Sequence, residues 1–228
     1  MKRVALIPAR GGSKRLPRKN VMKFLGKPMI THTIDAAQQS GLFDRIVVST
    51  EDEEIAIVSK SSGVAVSKRP SNLAGDTVMV KDVCIDFLNK EKKSGRNWDI
   101  LCVLYATSPL RNIDDIKSVV SLIEADHCDF ALAVTSYSQP LHQALLIDEN
   151  NYAKAFLPDL VSLRADEVPE FYVDNGSTYA VSVSTFQKTL SFYGNNMRTF
   201  KMPRKRSIDI DTREDFELLK YYSKVENF

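Results

Sequence analysis

Apolar residues along the chain switch repeatedly between short continuous runs and helical spacing. Arg3 to Ile7 is a short apolar run ended by Pro8. From Pro28 the spacing turns helical, with proline in the first turn, Ile30, Ile34 and Ala37 on one face and Gly41 as the stop. Arg45 to Ser49 predicts a strand, Asp52 to Ser61 a helix, Val64 to Ser67 a strand, and Thr77 to Lys93 a long helix. Ile100 to Leu104 reads as another buried strand. Asn112 can cap a helix whose Ile113, Ile116, Val119, Val120 and Ile123 recur at helical spacing, and Phe130 to Val134 returns as a strand. Tyr179 to Val183 and Thr199 to Met202 predict two further strands, and Thr212 to Lys224 closes the chain as an amphipathic helix. This alternation implies an α/β fold with a mostly parallel sheet covered on both faces, whose ligands bind beyond the carboxyl ends of the strands.

Between Ser136 and about Glu170 the periodicity weakens. Pro140, Pro158 and Pro169 interrupt it, while apolar patches remain at Leu145 to Ile147 and Phe156 to Val161. Residues 136–170 therefore read as an excursion from the sheet whose apolar groups need cover. A subunit contact supplies that cover, and a flap folded on its own domain is the plainer alternative. At about 150 residues per domain, the 228 residues make one large domain or two small ones, and a single domain over 1–228 is expected.

Net charge is only +2, but residues 1–27 hold nine bases and no acid, which leaves −7 on the other 201 residues. One local region is thus built to meet an anion, rather than the whole surface to coat a nucleic acid. The 43% apolar content excludes a disordered or disulfide-stapled chain. No apolar run approaches the roughly 18 residues of a membrane span, and the first seven residues lack secretory-signal features, so a cytoplasmic protein is expected. Cys84, Cys102 and Cys128 are odd in number, lack C-x-x-C spacing and sit in apolar surroundings, as packing thiols do. His32, His127 and His142 share no metal-ligand spacing, which disfavours structural zinc.

Three segments carry candidate chemistry. Arg10-Gly11-Gly12-Ser13-Lys14-Arg15-Leu16-Pro17-Arg18-Lys19-Asn20 follows the first strand. Adjacent glycines let successive N–H groups face an anion, and the flanking cations supply countercharge, so a polyphosphate fits. The spacing is neither Walker A nor G-x-G-x-x-G, and a solvated basic turn is the competing reading. In Asp209-Ile210-Asp211-Thr212, residues i and i+2 of an extended segment project to one side, so two carboxylates can share a hard cation such as Mg²⁺. Thr212 followed by Asp215 also resembles a capping box, so helix initiation competes there. Thr107-Ser108-Pro109-Leu110-Arg111 comes after the strand ending at Leu104, placing Tyr105 and Ala106 at a carboxyl end, although Ser, Pro and Asn112 also make a helix-starting turn. Arg69 lies in a turn, Arg69-Pro70 to Asp76-Thr77, and can reach a phosphate or pair with an acid. Asn175-Gly176 reads most simply as a tight turn before the strand at Tyr179.

The run Ile7 to Asn20 resembles the signature of the acylneuraminate cytidylyltransferases, the CMP-sialic acid synthetases. Four later segments are similar to that family in the same order: Phe43 to Thr50, Arg69-Pro70 to Asp76-Thr77, Thr107 to Arg111, and Ser207 to Thr212. The resemblance implies a Rossmann-like three-layer α/β/α domain that joins CTP to a nine-carbon α-keto acid sugar (sialic, pseudaminic or legionaminic acid) and releases pyrophosphate. It implies Mg²⁺ on Asp209 and Asp211, Arg10 and Lys14 against the triphosphate, and Lys19, Asn20 and Arg69 positioning CTP, in a nucleotide site that also includes Ala9, Gly11, Gly12, Ser13 and Asp76. It implies a homodimer built through residues 136–170. The sugar would be bordered by Tyr105, Ala106, Thr107, Ser108, Asn175, Gly176, Tyr179 and, from a second copy, Arg164. No nucleic-acid or membrane partner is implied.

Tyr105-Ala106 stands where many sialic acid enzymes have Gln-Pro, and His142 where they have Lys. Those positions, with Met202 to Arg206, look like the pseudaminic acid branch, whereas Asn175-Gly176 before Tyr179 looks like the sialic and legionaminic branches. In the implied reaction the anomeric hydroxyl attacks the α-phosphorus, preplaced cations stabilise the leaving charge, and the hydroxyl proton goes to metal-bound hydroxide or to one aspartate. A Kdo or sugar-1-phosphate nucleotidyltransferase, and a non-catalytic nucleotide-binding protein, are the alternatives.

Overall fold

A computed structural model describes residues 1–125 and 128–225; His127 of the histidine set lies outside the described residues. The chain runs β1 (Arg3–Pro8), β2 (Lys23–Phe24), β3 (Lys27–Pro28), α1 (Met29–Ser40), β4 (Arg45–Thr50), α2 (Glu53–Ser61), β5 (Ala65–Lys68), α3 (Val80–Lys93), β6 (Ile100–Leu104), α4 (Ile113–Ala125) and β7 (Phe130–Ser136). It continues through β8 (Leu145–Ile147), β9 (Ala153–Ala155), β10 (Tyr172–Ser182), α5 (Val183–Thr189), β11 (Met197–Lys201) and α6 (Arg213–Val225).

Seven strands form one sheet in the order β11-β7-β10-β6-β1-β4-β5. β10 is antiparallel to β6 and β7, and the other pairings are parallel. Successive strand residues face opposite sides, and β1 shows what that does. Ala5 and Ile7 pack with Ile30 and Ile34 of α1 and Ile116 and Val119 of α4, whereas Val4 and Leu6 pack with Cys84 and Phe87 of α3 and Phe186 of α5. A third apolar cluster joins the ends of the chain: Leu16 and Phe24 pack against Ile208, Ile210, Phe216 and Leu219.

Strand order reverses at β1. The connection through α1 leads to β4 on one side, and the one through α3 returns to β6 on the other, which opens a crevice beyond the carboxyl ends of β1 and β6. The loops after those two strands are the ones that carry the basic run and the Thr107 to Arg111 turn.

Several local expectations hold with their reasons. Gly41 ends α1 in the left-handed conformation, and Asp52 caps α2 by accepting from the Ile55 amide. Asn112 and Asp115 cap each other at the start of α4. All three cysteines are buried; burial pushes the Cys102 thiol up to about 12.

Others are corrected. The long helix starts at Val80 rather than Thr77, because Asp76 is drawn to Arg10 and Lys14 and residues 77–79 stay in the loop over the crevice. Asn175-Gly176 is not a turn before a strand. It lies inside the 11-residue β10, where the register against β7 shifts between Asp174 and Tyr179. That strand ends at Ser182, and Val183 begins α5, a helix with no counterpart in the expectations. The hairpins β2-β3 and β8-β9 were also unforeseen; strands of two or three residues are too short to show an alternation.

Candidate active site

Each cation of the basic loop meets a carboxylate. Arg10 and Lys14 share Asp76, at 2.6 and 2.5 Å. Arg15 and Lys19 share Asp211, each at 2.6 Å, and Arg18 reaches Asp52 and Glu54. The Gly11 amide donates to Glu51 at 2.8 Å, and a Cβ there would lie 2.2 Å from an Asp52 oxygen, so only glycine fits. Gly12 faces open space. Asn20 is buried and donates to the Arg10 carbonyl at 2.9 Å, closing the loop on itself. Arg69 is held at the end of β4 by the Ser49 carbonyl (2.7 Å) and hydroxyl (3.3 Å), and burial lowers its guanidinium pKa. Arg10, Lys19, Asn20, Arg69, Asp76 and Thr107 line one cleft. Ala9 is buried beneath it, and Ser13 has a hydroxyl with no hydrogen-bond partner.

The start and finish of the chain meet at that cleft. Lys19 donates to the Ile210 carbonyl (2.9 Å) as well as to Asp211, and the Ile210 amide donates to the Thr107 carbonyl (2.9 Å). Ile210 is fully buried behind the two aspartates. The capping box is also real, since Thr212 and Asp215 exchange hydrogen bonds at 2.8 and 3.2 Å. It leaves the Asp211 carboxylate free to face the basic loop. Burial alone would raise the Asp211 carboxyl, but Lys19 and Arg15 hold it below the usual range. Asp209 goes the other way: burial raises it and the Asp211 and Asp215 charges add to the rise, against a Thr107 hydrogen bond and the Lys19 charge. The Asp209 Oδ1 is buried with no partner.

Two neighbours fix this acidic segment. Arg206 clamps the fully buried Asp115 of α4 through two bonds of 3.0 and 2.8 Å. Gly176, at φ +64°, faces Asp209, where a Cβ would be in ordinary contact, 3.5 Å from a carboxylate oxygen. Asp115 at i+3 from a capping Asn had a sequence signal for helix initiation, but nothing marked Arg206 as its partner. Glu51 and Asp52 were likewise missed, although their place just past the β4 carboxyl end was a usable clue.

The predicted sugar-side residues divide. Tyr105 lines the cleft and a second cavity of about 420 Å³ with Tyr179, their rings 5.7 Å apart. Ala106 and Ser108 are fully buried, so their side chains support the turn instead of lining the cavity; Ser108 bonds the Gly176 carbonyl. Asn175 is buried and donates to Ser207 (3.0 Å), tying β10 to the acidic segment. Arg164 stays in the excursion, exposed, beside Asp166. Arg111 is entirely buried; its Nη1 donates to the Ser177 carbonyl (2.6 Å) and burial pulls its pKa down to about 10. Phe192 and Tyr193, lining the second cavity, were missed, as they follow a helix that left no sequence signal.

Residues 4–228 match the family model described as cytidylyltransferase. The chain is 34% identical over 226 residues to a pseudaminic acid cytidylyltransferase of Campylobacter jejuni, covering 99% of this chain and 97% of that protein. It is 35% identical to a CMP-N,N'-diacetyllegionaminic acid synthase of Legionella pneumophila, covering 96% and 94%. A solved structure of CMP:2-keto-3-deoxy-manno-octonic acid synthetase complexed with CTP superposes with a TM-score of 0.75 at 20% identity, covering 99% and 100%, and shares the fold.

Proposed function

The chain belongs to the cytidylyltransferase family, and on that premise we propose that this nucleotidyltransferase moves CMP from CTP to the anomeric hydroxyl of a nine-carbon α-keto acid sugar of the pseudaminic acid type. The new bond joins the anomeric oxygen to the α-phosphorus, the bond to the β-phosphate breaks, and pyrophosphate leaves with the hydroxyl proton released. Supporting this reading above all is the junction of Lys19 and Arg15 with Asp211, which gathers cations and acids from opposite ends of the chain at one cleft.

In this reading Arg10 and Lys14 exchange Asp76 for the β- and γ-phosphates, which are stronger anions. Backbone amides around Gly11 and Gly12 face the phosphate oxygens, while Lys19, Asn20 and Arg69 orient the nucleotide. Asp209 and Asp211 suit Mg²⁺, which is held by one or two carboxylates together with substrate oxygens and water, and the unpartnered Asp209 Oδ1 is a ready ligand atom. Among the described residues no larger cluster of His, Cys, Asp and Glu competes for a metal. When bound, Mg²⁺ would supply positive charge where negative charge develops on the leaving oxygens. Tyr105 and Tyr179 border the sugar.

The enzyme works as a homodimer in this proposal. Leu145, Leu146, Ile147, Tyr152 and Phe156 of the excursion are each at least 47% exposed and are covered by a second copy, which brings its Arg164 toward the sugar. No helix among the described residues is long and apolar enough to cross a membrane, and the free thiols of Cys84 and Cys102 suit the reducing cytoplasm.

The test is pyrophosphate release from CTP and Mg²⁺ with pseudaminate, legionaminate, N-acetylneuraminate, Kdo and a sugar 1-phosphate in separate reactions. Turnover is expected with the nine-carbon acids and fastest with pseudaminate. Turnover only with the sugar phosphate, or with none of the five, overturns the proposal.

A further inference from the structure

Asp174 lies outside every motif considered so far, one residue before the Asn175-Gly176 pair. Its carboxylate collects three donors from three places. Tyr179, across the irregular part of β10, donates its hydroxyl to both oxygens, at 2.9 and 2.8 Å. Tyr193, from the loop after α5, donates a second phenol. The Gly176 amide donates to Oδ1 at 2.9 Å. Each donor has its own task. Tyr179 stacks between Tyr105 and Phe192, at 5.7 and 5.5 Å, and so forms the wall of the second cavity. Tyr193 is 53% exposed at the mouth of that cavity. Gly176 faces Asp209, one side chain's contact away.

A strand irregularity needs only its own amide satisfied. Two phenols from separate segments are not part of that requirement, and a carboxylate is the side chain able to accept all three donors at once. An exposed tyrosine gains little by being held in one rotamer unless the surface it forms matters, because ordering it costs conformational entropy.

We infer that Asp174 is a positioning residue for the keto-sugar side of the reaction: it locks Tyr179 and Tyr193 into one wall and, through Gly176, sets that wall at a fixed place relative to Asp209. The inference rests on the cytidylyltransferase reading. It separates the two substrates, since none of the side chains that line the nucleotide cleft beside Arg10 and Arg69 accepts from or donates to Asp174 in these contacts.

The experiment compares wild type with Asp174→Asn, Asp174→Glu, Tyr193→Phe and Tyr179→Phe. Steady-state constants are measured for pseudaminate and CTP separately, and CTP binding without sugar by calorimetry. Asn offers a single acceptor oxygen and presents an NH₂ to the phenols. Its KM for the keto sugar is expected to rise at least about tenfold, the scale of one lost charge-assisted hydrogen bond, with CTP affinity within about twofold of wild type. Tyr193→Phe should give a smaller rise of the same kind, and Asp174→Glu should recover part of the loss. Should Asp174→Asn fail to fold, the two Tyr→Phe variants remove the donors one at a time and carry the same expectation. An unchanged sugar KM in folded variants, or a parallel loss of CTP affinity, overturns the inference while wild-type turnover stands. Wild type without turnover on any keto sugar overturns the enzymatic reading, and this inference falls with it.

Discussion

Residues 10–20 and residues 145–156 treat exposure in opposite ways. The first segment holds five cations in eleven positions, and each has a carboxylate facing it: Asp76, Asp211, Asp52 or Glu54. The second holds Leu145, Leu146, Ile147, Tyr152 and Phe156, all turned to solvent. Exposed ion pairs contribute about 0–1 kcal/mol each, so the loop is organised yet only weakly bound to its acids. In the proposed function a polyphosphate takes their place. Covering an exposed Leu or Phe contributes about 1.5–3 kcal/mol, and the described residues leave these five side chains of the excursion largely uncovered. In the proposed function the loop takes a small ligand within one chain, whereas the excursion takes the surface of a second copy.

The sharpest way to break this contrast is at the acid pair that anchors the loop. Asp209→Asn keeps the shape and removes the charge, and turnover at saturating CTP should fall at least about a hundredfold, as when one electrostatic stabiliser of a transition state is deleted. Pyrophosphate release measured across a Mg²⁺ titration checks it. Full activity at limiting Mg²⁺ would mean that the cations of the loop work without a metal partner.

The excursion is probed by charging its apolar face. Leu146→Glu combined with Ile147→Glu should weaken self-association about tenfold or more, because each buried charge opposes the gain from apolar cover. Sedimentation across a concentration series reads the effect, and CTP binding should persist, since the nucleotide cleft lies within one chain. A variant that stays as dimeric as wild type would show that the apolar patch is not the contact.

The smallest effect is expected at the base of the loop, under the β2-β3 hairpin. His32 bonds the Phe24 carbonyl at 2.9 Å and packs on its ring, and burial lowers its pKa below 6.5. The folded state then resists the proton that the unfolded state accepts. Stability attributable to His32 is full above pH 6.5 and declines as pH falls toward the depressed folded value. Urea midpoints between neutral and mildly acid pH should therefore fall less steeply in His32→Gln than in wild type. Parallel curves would remove His32 from the account.

Much of the fold was legible because strands and helices of an α/β sheet are long enough to show their periods. β1, β4, β6 and β7 appear as apolar runs, and α1, α2, α4 and α6 as spaced stripes with identifiable caps. The candidate site was legible where local chemistry is dense, in the glycine and cation run and in the alternating aspartates. Two-residue strands left no period to read. Gly176 resembled a turn because left-handed backbone is usual there, and only the neighbouring strands reveal that it sits within a sheet.

By itself, the sequence determined the order of the longer strands and helices apart from α5, the end of the sheet at which a ligand is expected, and which residue types could neutralise a polyphosphate. Only the tertiary structure decided who faces whom. Lys19 meets Asp211 across 192 residues, Arg206 meets Asp115 across 91, and Tyr193 meets Asp174 across 19. Backbone periodicity reports on near neighbours, whereas a pairing between distant charges depends on where the strand order turns back, and that is set by the packing of the whole sheet.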